Sequence, residues 1–185
     1  FDSSRVAPHI LTVAPDLVHR TLLFNGVSKS YAMTGWRIGW SIGPQAIVEA
    51  ISHYQSQSTG SSCSISQLAA HSAILHGDDD MMKARELLRV RRDFAIAELK
   101  KINKLKVNNP KGAFYLWVDV SAFCRPNYDS RKMSEDLLEK KKVAVVPGVE
   151  FGCDGFWRLS FVLNEKRMGE AFARIKEFFA EIGSS

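Results

Sequence analysis

The segment "NGVSKSYAMTGWRIGW", residues 25–40, brings residue types that do chemistry into close spacing. Lys29 stands between two serines, and Arg37 follows eight residues later in a stretch that contains three glycines and threonine. A desolvated lysine loses basicity, and its neutral amine is the nucleophile that Schiff-base chemistry requires. The planar fork of an arginine suits a phosphate dianion. Together the two residues predict a site for an aldehyde that carries a phosphate group.

A strand and a loop of small residues must position this lysine. A lone lysine is more often a solvated surface residue, so its setting decides between the two interpretations. The run "TLLF" at 21–24 predicts a buried strand, and "WRIGWSIG" at 36–43 predicts a second strand whose glycines allow a close approach. Lys29 follows the first strand directly, where a cofactor could reach the backbone and where desolvation would lower the lysine pKa.

The rest of the chain alternates short apolar runs with helical patterns, which is typical of an α/β or α+β layered fold. A boundary near residues 80–90 is expected to separate two domains within a long helix. Five helices are predicted. The first begins at Pro44, and the others span Ile65 to His76, Asp78 to Ile102, Ser134 to Lys142, and about Glu165 to Glu181. Gly77 is expected to end the second helix and Asn164 to cap the last. The predicted strands are "GAFYLWVDV", "VAVVPG" and "FWRLSFV".

The composition and charge pattern argue against a nucleic-acid-binding or membrane protein. The chain has 185 residues, 45% of them hydrophobic, and a formal net charge of +5. The basic run "KARELLRVRR" has the pattern of a solvated helix face, and no nucleic-acid motif or aromatic stacking pattern accompanies it, so no nucleic-acid partner is expected. No apolar run approaches the roughly 18 residues that span a bilayer, so a cytoplasmic protein with no membrane partner is expected. The start, "FDSSRVAPHI", indicates a fragment of a longer protein.

The cysteines and histidines do not predict a metal site or a disulfide framework. Cys63, Cys124 and Cys153 are odd in number and form no Cys-x-x-Cys pair, so reduced thiols that mostly pack in the interior are expected. His71 and His76 have no acidic partner at ligand spacing.

The segment "SKSYAMTGWRIG" resembles the cofactor-lysine segment of class-I (fold-type I) aminotransferases that depend on pyridoxal 5'-phosphate (PLP), and it is most similar to the bacterial and plant type of aspartate aminotransferase. The similarity continues, in the family's order, through "SQSTGSSCSISQ", "GAFYLWVDVSAF", "VAVVPGVEFG" and "WRLSFV". It implies an α/β protein in two parts. Residues 1–85 would be the C-terminal part of the large PLP-binding domain, a mixed sheet with helices on both faces, and residues 86–185 a complete small α+β domain.

The resemblance also implies roles for individual residues. Lys29 would tether PLP and act as the catalytic base, and Arg37 would pair with the cofactor phosphate. Ser28 is a second candidate for the phosphate, although the family's hydroxyl more often lies further upstream. Arg158 would hold the substrate α-carboxylate in a bidentate pair, whereas from the residues alone it could equally be a charge at a strand edge.

Two further positions matched by the family carry weaker expectations. Phe114, in "GAFY", would touch the substrate or pack in the core. Ser61 stands where relatives usually carry an asparagine in a segment that approaches the phosphate of the partner subunit, so that contact would be weakened.

The implied activity is the PLP-dependent transfer of an amino group from an amino acid, with aspartate-like substrates favoured, to a 2-oxo acid by an intact homodimer active in amino-acid metabolism. Alternatives within the superfamily are another class-I aminotransferase, such as prephenate aminotransferase, and a PLP-dependent carbon–sulfur lyase. A third alternative is a noncatalytic fragment that serves as a dimerisation module. The isolated chain is expected to be inactive, because in the family the groups that stack on and protonate the cofactor ring precede the lysine.

Overall fold

The computed structural model describes Phe1 and residues 8–183, whose contacts divide into two compact units. The division falls between Ala84 and Arg85, so the first unit comprises residues 8–84 and the second comprises Phe1 with residues 85–183. It lies inside the long helix α5, Asp78–Leu99. Residues 2–7 and 184–185, at the outer ends of the two expected domains, lie outside the described residues.

The first unit is built on a β-hairpin. Strands β1, Leu23–Gly26, and β2, Gly39–Ile42, pair antiparallel, with Leu23 opposite Ile42 and Gly26 opposite Gly39. Both strands were expected, but β1 is not buried, since Phe24 is 74% exposed. The reason is that no third strand joins this pair among the described residues. The mixed sheet that the resemblance implies is therefore represented here by one antiparallel pair.

Helices of this unit precede, interrupt or follow the hairpin along the chain. They are α1, Ile10–Val13; α2, Val27–Ser30; α3, Gln45–Ser58; and α4, Ser64–His76. Pro44 precedes α3, and the N–H of Gly77 donates to the Ala73 carbonyl at 2.8 Å where α4 ends, as the sequence predicted. Among the described residues of this unit, only Val27, Ser66 and Ala70 are buried.

The second unit contains a four-stranded antiparallel sheet. Its strands are β3, Lys106–Val107; β4, Tyr115–Asp119; β5, Val146–Pro147; and β6, Phe156–Ser160, in the spatial order β3-β4-β6-β5. Side chains alternate between the two faces of a strand. One face of β4 and β6 therefore supplies Leu116, Val118, Trp157 and Leu159 to the core, while the intervening residues face away from it.

Three helices complete the core of this unit. Helix α5 contributes Ala95 and Leu99; α6, Ser130–Lys141, contributes Met133 and Leu137; and α7, Glu165–Gly183, contributes Met168, Phe172, Ile175, Phe178 and Phe179. The predicted cap of α7 is confirmed, because Asn164 Oδ1 accepts the Arg167 N–H at 2.9 Å. Helix α6 begins four residues earlier than predicted, because Asp129 caps it by accepting the Lys132 N–H at 2.8 Å.

Two expectations about side-chain exposure are corrected by the structure. The side chains of Arg91 and Arg92 are only 18% and 12% exposed, since they donate to the carbonyls of Val162 and Pro110, so this basic run is not purely a solvated face. The three cysteines are free, as expected, but Cys63 and Cys153 are exposed rather than packed. None of the described helices combines the length and the apolar character needed to cross a membrane.

Candidate active site

Lys29 and Arg37 lie on the connection between the two strands of the hairpin, residues 27–38. The one-turn helix α2 carries Lys29, and its buried residue Val27 anchors the start of the connection. A 3-10 turn, Thr34–Trp36, precedes Arg37. Two short helical turns on this connection therefore separate Lys29 from Arg37, with Lys29 in the first turn and Arg37 directly after the second.

Two glycines bring the ends of this connection together. Gly26 faces Gly39 across the hairpin, and a Cβ on Gly26 would lie 2.9 Å from the Ile38 carbonyl oxygen. A Cβ on Gly39 would lie 3.0 Å from the carbonyl oxygen of Asn25. Larger residues would force the backbones apart, so the glycines fix a narrow base beneath Lys29 and Arg37.

Arg37 has a left-handed backbone conformation, with φ 54° and ψ 46°. For an L-residue other than asparagine or aspartate, this geometry costs about 1–2 kcal/mol. Its Nη1 donates to the Thr34 carbonyl at 3.1 Å, which ties the guanidinium back to the preceding turn. Backbone strain of this kind persists at functional sites where the side chain is required.

The structure brings Ser28, Lys29 and Arg37 to one cavity of about 460 Å³. Ser30, a second hydroxyl that the sequence analysis did not single out, lies at the same cavity. Lys29 itself is exposed, so the desolvation expected from the sequence is not supplied by this part of the chain. The cavity is lined by Asn25, Gly26, Ser28, Lys29, Ser30, Arg37, Ile38 and Gly39.

Arg158 lies in the second unit, on strand β6. The strand is an inner one, with β4 on one side and β5 on the other, which rules out the alternative of a strand-edge charge. Trp157 and Leu159 on either side of it point into the core, so the Arg158 side chain lies on the opposite face of the sheet. Its guanidinium carbon is 4.5 Å from the centroid of the Tyr115 ring and 4.6 Å from that of Phe151.

Phe114 and Ser61 do not line the Lys29 cavity in the described structure. Phe114 is partly buried against the core of the second unit, and its ring centroid lies 4.5 Å from that of Tyr115. Ser61 is exposed in the connection between α3 and α4.

Sequence reasoning overlooked Tyr115 and Phe151. The signal that could have found Tyr115 is the alternation along β4, which places it on the face opposite to Leu116. Phe151 ends a 3-10 turn, Gly148–Phe151, and no periodic pattern predicts where a turn residue points.

Comparisons with known sequences match most of the chain to one family. The family model for aminotransferase class I and II matches residues 1–175. A probable aspartate/prephenate aminotransferase from Rickettsia typhi is 44% identical over 173 residues, which are 89% of this chain and 43% of that protein. An aspartate/prephenate aminotransferase from Nitrosomonas europaea is 45% identical over 90% of this chain and 44% of its own length. The chain thus spans less than half the length of these curated relatives.

Solved structures give the same result for the fold. An aspartate aminotransferase from Rhizobium meliloti matches with a TM-score of 0.86 and 37% identity over 96% of this chain and 46% of that one. An aromatic aminotransferase from Pyrococcus horikoshii matches with a TM-score of 0.88 and 29% identity over 98% of this chain and 48% of its own. The resemblance drawn from the lysine segment is confirmed, and the fold is the α/β fold of aminotransferase structures. The chain belongs to the aminotransferase class I and II family.

Proposed function

We propose that the protein containing this chain is a PLP-dependent aminotransferase that moves an amino group from an amino acid, with aspartate-like donors favoured, to a 2-oxo acid. The observation that carries the proposal is the position of Lys29 and Arg37 at one cavity, on a connection whose base is fixed by Gly26 and Gly39. An amine and a guanidinium at one small site are the pair that an aldehyde with a phosphate requires.

The residues at this cavity fit the cofactor. Class I and II aminotransferases depend on PLP, whose phosphate is a dianion and whose aldehyde reacts with amines. Arg37 provides a planar donor fork, Ser28 and Ser30 provide hydroxyls, and Lys29 provides the amine. When bound, PLP supplies the electron sink that stabilises negative charge at the substrate α-carbon.

Separate residues of the chain are assigned to proton transfer, phosphate binding and carboxylate binding. The Lys29 amine would hold the cofactor, and as a free amine it would be the base that moves a proton at the substrate α-carbon. Arg37 and Ser28 would hold the cofactor phosphate and so fix its position at the cavity. Arg158 holds the substrate α-carboxylate through two parallel N–H···O bonds, a geometry that lysine cannot reproduce.

The same proposal assigns the two parts of the chain. Residues 1–85 are the remnant of the PLP-binding large domain, with its mixed sheet flanked by helices on both faces, and residues 86–185 are the small α+β domain that carries Arg158. The division of contacts between Ala84 and Arg85 supports this assignment of the two ranges.

We also propose that the whole protein is a cytoplasmic homodimer.

The isolated 185-residue chain is proposed to be inactive. The described residues place no acidic side chain at the Lys29 cavity to keep a pyridine nitrogen protonated, and no aromatic ring that could stack on the cofactor. Without those groups the cofactor is a weaker electron sink and is held less firmly.

A second candidate activity is the amination of prephenate. It is favoured by the names of the Rickettsia typhi and Nitrosomonas europaea relatives, both of which include prephenate. Prephenate is itself a 2-oxo acid, so Lys29, Arg37 and Arg158 would keep the same roles. Assays of the full-length protein with aspartate as donor, and with oxaloacetate, 2-oxoglutarate or prephenate as acceptor, measure the preference directly.

Trapping with borohydride tests the assignment of Lys29. The full-length protein is incubated with PLP, reduced and digested, and mass spectrometry identifies the lysine that carries the pyridoxyl group. Label concentrated on Lys29, and lost in Lys29→Ala together with transamination, is the expected result. Label at another lysine, or transamination that survives Lys29→Ala, would contradict the assignment of Lys29. A full-length protein that takes no label and transaminates no amino acid would leave a noncatalytic role such as dimerisation.

A carbon–sulfur lyase is separated by its products. Such an enzyme releases ammonia from a sulfur-containing amino acid without any 2-oxo acid acceptor. We expect no ammonia release and strict dependence on the acceptor.

A further inference from the structure

Arg158 is held by aromatic rings rather than by polar partners. Within Phe1 and residues 8–183 its guanidinium makes no hydrogen bond and no ion pair, while the rings of Tyr115 and Phe151 each lie within 4.6 Å of its guanidinium carbon. Aromatic faces attract a cation but do not satisfy N–H donors in the guanidinium plane. Two rings therefore hold the charge and leave the donor fork available.

Each ring is itself fixed by a different part of the second unit. Tyr115 begins β4 and lies two residues from Trp117, which is directly opposite Arg158 across the β4–β6 pair. Phe151 comes from the 3-10 turn after β5, and its ring meets that of Trp117 edge to face at a centroid distance of 5.6 Å. Trp117 in turn stacks on Phe156 at 5.4 Å and 12°. The rings of Phe151, Trp117 and Phe156 thus contact one another in series, and within the part of the chain that the structure describes the ring of Tyr115 meets this group only through the Arg158 guanidinium.

The turn that carries Phe151 has little freedom. It begins at Gly148, where an added Cβ would lie 2.2 Å from the Cys153 carbonyl oxygen and 2.9 Å from the Phe156 side chain. It is closed by Gly152, which has a φ of 74° that favours glycine. The backbone therefore delivers Phe151 to a defined position beside Arg158.

We propose that Tyr115 and Phe151 are positioning residues that pre-orient the Arg158 guanidinium for the substrate carboxylate. This inference rests on the proposed function, in which Arg158 binds that carboxylate. An arginine side chain has many rotamers, and fixing it before binding removes an entropic cost from the binding step. The rings also shield the faces of the guanidinium from part of the surrounding water, which strengthens its electrostatic attraction to a carboxylate.

Equilibrium binding of maleate to the full-length PLP-loaded protein tests this role without turnover. Removing one ring, in Tyr115→Leu or Phe151→Leu, is expected to raise the maleate Kd about tenfold, the size expected for loss of one cation–π contact. The matched variants Tyr115→Phe and Phe151→Trp keep a ring and should bind as the wild type does. Phe123→Leu, which removes a ring that packs on Phe179 in the core, is the control for loss of an aromatic residue as such.

Steady-state kinetics and cofactor absorbance separate positioning from a general structural defect. In Phe151→Leu the KM for the amino donor should rise more than kcat falls, and the absorbance of the bound cofactor should be unchanged. Unaltered maleate affinity in both leucine variants would overturn the inference, as would equal weakening in Phe123→Leu.

Arg158→Lys distinguishes this inference from the function on which it rests. If Arg158→Lys weakens maleate binding and the leucine variants do not, the positioning role fails and the carboxylate role stands. If Arg158→Lys leaves maleate binding unchanged, the carboxylate role of Arg158 fails and the inference fails with it.

Discussion

At the scale of single residues, Arg37 combines a left-handed backbone with a side chain that we propose binds the cofactor phosphate. Arg37→Lys keeps the charge and the left-handed backbone but loses the planar fork, so PLP affinity of the full-length protein should fall about tenfold or more, as for loss of a charge-assisted hydrogen bond. Absorbance titration with PLP measures this change. Arg20→Lys, on an exposed arginine at the end of the 3-10 turn Pro15–Arg20, is the control and should bind PLP normally.

Arg37→Gly separates strain from binding. Glycine accepts a φ of 54° without the steric cost, but it loses more conformational freedom on folding, and the two effects of about 1 kcal/mol each oppose one another. Thermal unfolding should therefore change little, while PLP affinity falls at least as far as in Arg37→Lys. A large loss of stability in Arg37→Gly would show that the guanidinium contact with the Thr34 carbonyl supports the fold.

At the scale of elements, helix α7 depends on its N-terminal cap. Asn164→Ala removes the acceptor for the Arg167 N–H and should lower the free energy of unfolding by about 1 kcal/mol. The loss affects the core because α7 carries five of its buried residues. Urea unfolding followed by circular dichroism measures it. Asn164→Asp also caps a helix and should unfold like the wild type; equal loss in both variants would argue against the cap.

The start of helix α6 should make stability depend on pH. The hydroxyl and N–H of the buried Ser130 donate to Asp154 Oδ1, and these bonds, the hydroxyl's foremost, hold the pKa of Asp154 below its ordinary value. A carboxyl with a lowered pKa stabilises the folded state at neutral pH, and this contribution is lost as the pH falls below about 4 through the folded-state value.

Ser130→Ala should therefore flatten the dependence of unfolding free energy on pH between about 5 and 2, where a paired aspartate titrates. Ser134→Ala is the matched control, since Ser134 is on the same helix but donates to the Arg131 carbonyl. An identical acid dependence in the wild type and Ser130→Ala would show that the Ser130 hydroxyl does not set the Asp154 pKa.

Elements with a clear local signal could be predicted from the sequence. The long helix after Asp78, helix α4 before Gly77 and the Asn164 cap of α7 follow from periodicity and end residues, which act within a few positions. The exposure of Phe24 could not be predicted, because burial depends on what covers a strand rather than on the strand itself.

The proposed functional residues show the same contrast. Lys29 and Arg37 share one short segment, so local spacing was sufficient to pair them. The contact of Arg158 with Tyr115 joins residues that are 43 positions apart, and it exists only because β4 and β6 pair in one register. Sequence patterns predict the strands but not their register against each other.

At the scale of the whole molecule, the first unit exposes several large apolar side chains. Phe24, Tyr54 and Leu68 are each more than 70% exposed. Extended apolar surface of this kind promotes association. We expect the 185-residue chain to self-associate as its concentration rises, as measured by sedimentation velocity.

Phe24→Ser should reduce that association, because it removes the exposed ring on β1 without altering the buried Val27. Val162→Ser, at an exposed apolar residue of the second unit, is the control and should associate like the wild type. A chain that remains monomeric over the whole concentration range would show that the exposed surface does not drive self-association.

The pairing of Gly26 with Gly39 has an evolutionary consequence. Because the hairpin register fixes both ends of residues 27–38, adding or removing a residue there would displace Arg37 from Lys29 while the strands stayed paired. Substitutions leave that separation intact, but changes of length do not. Related proteins that use the lysine and the arginine together should therefore align across residues 27–38 without gaps, even where other side chains have diverged. A gap in that segment should mark a relative that no longer uses the two residues together.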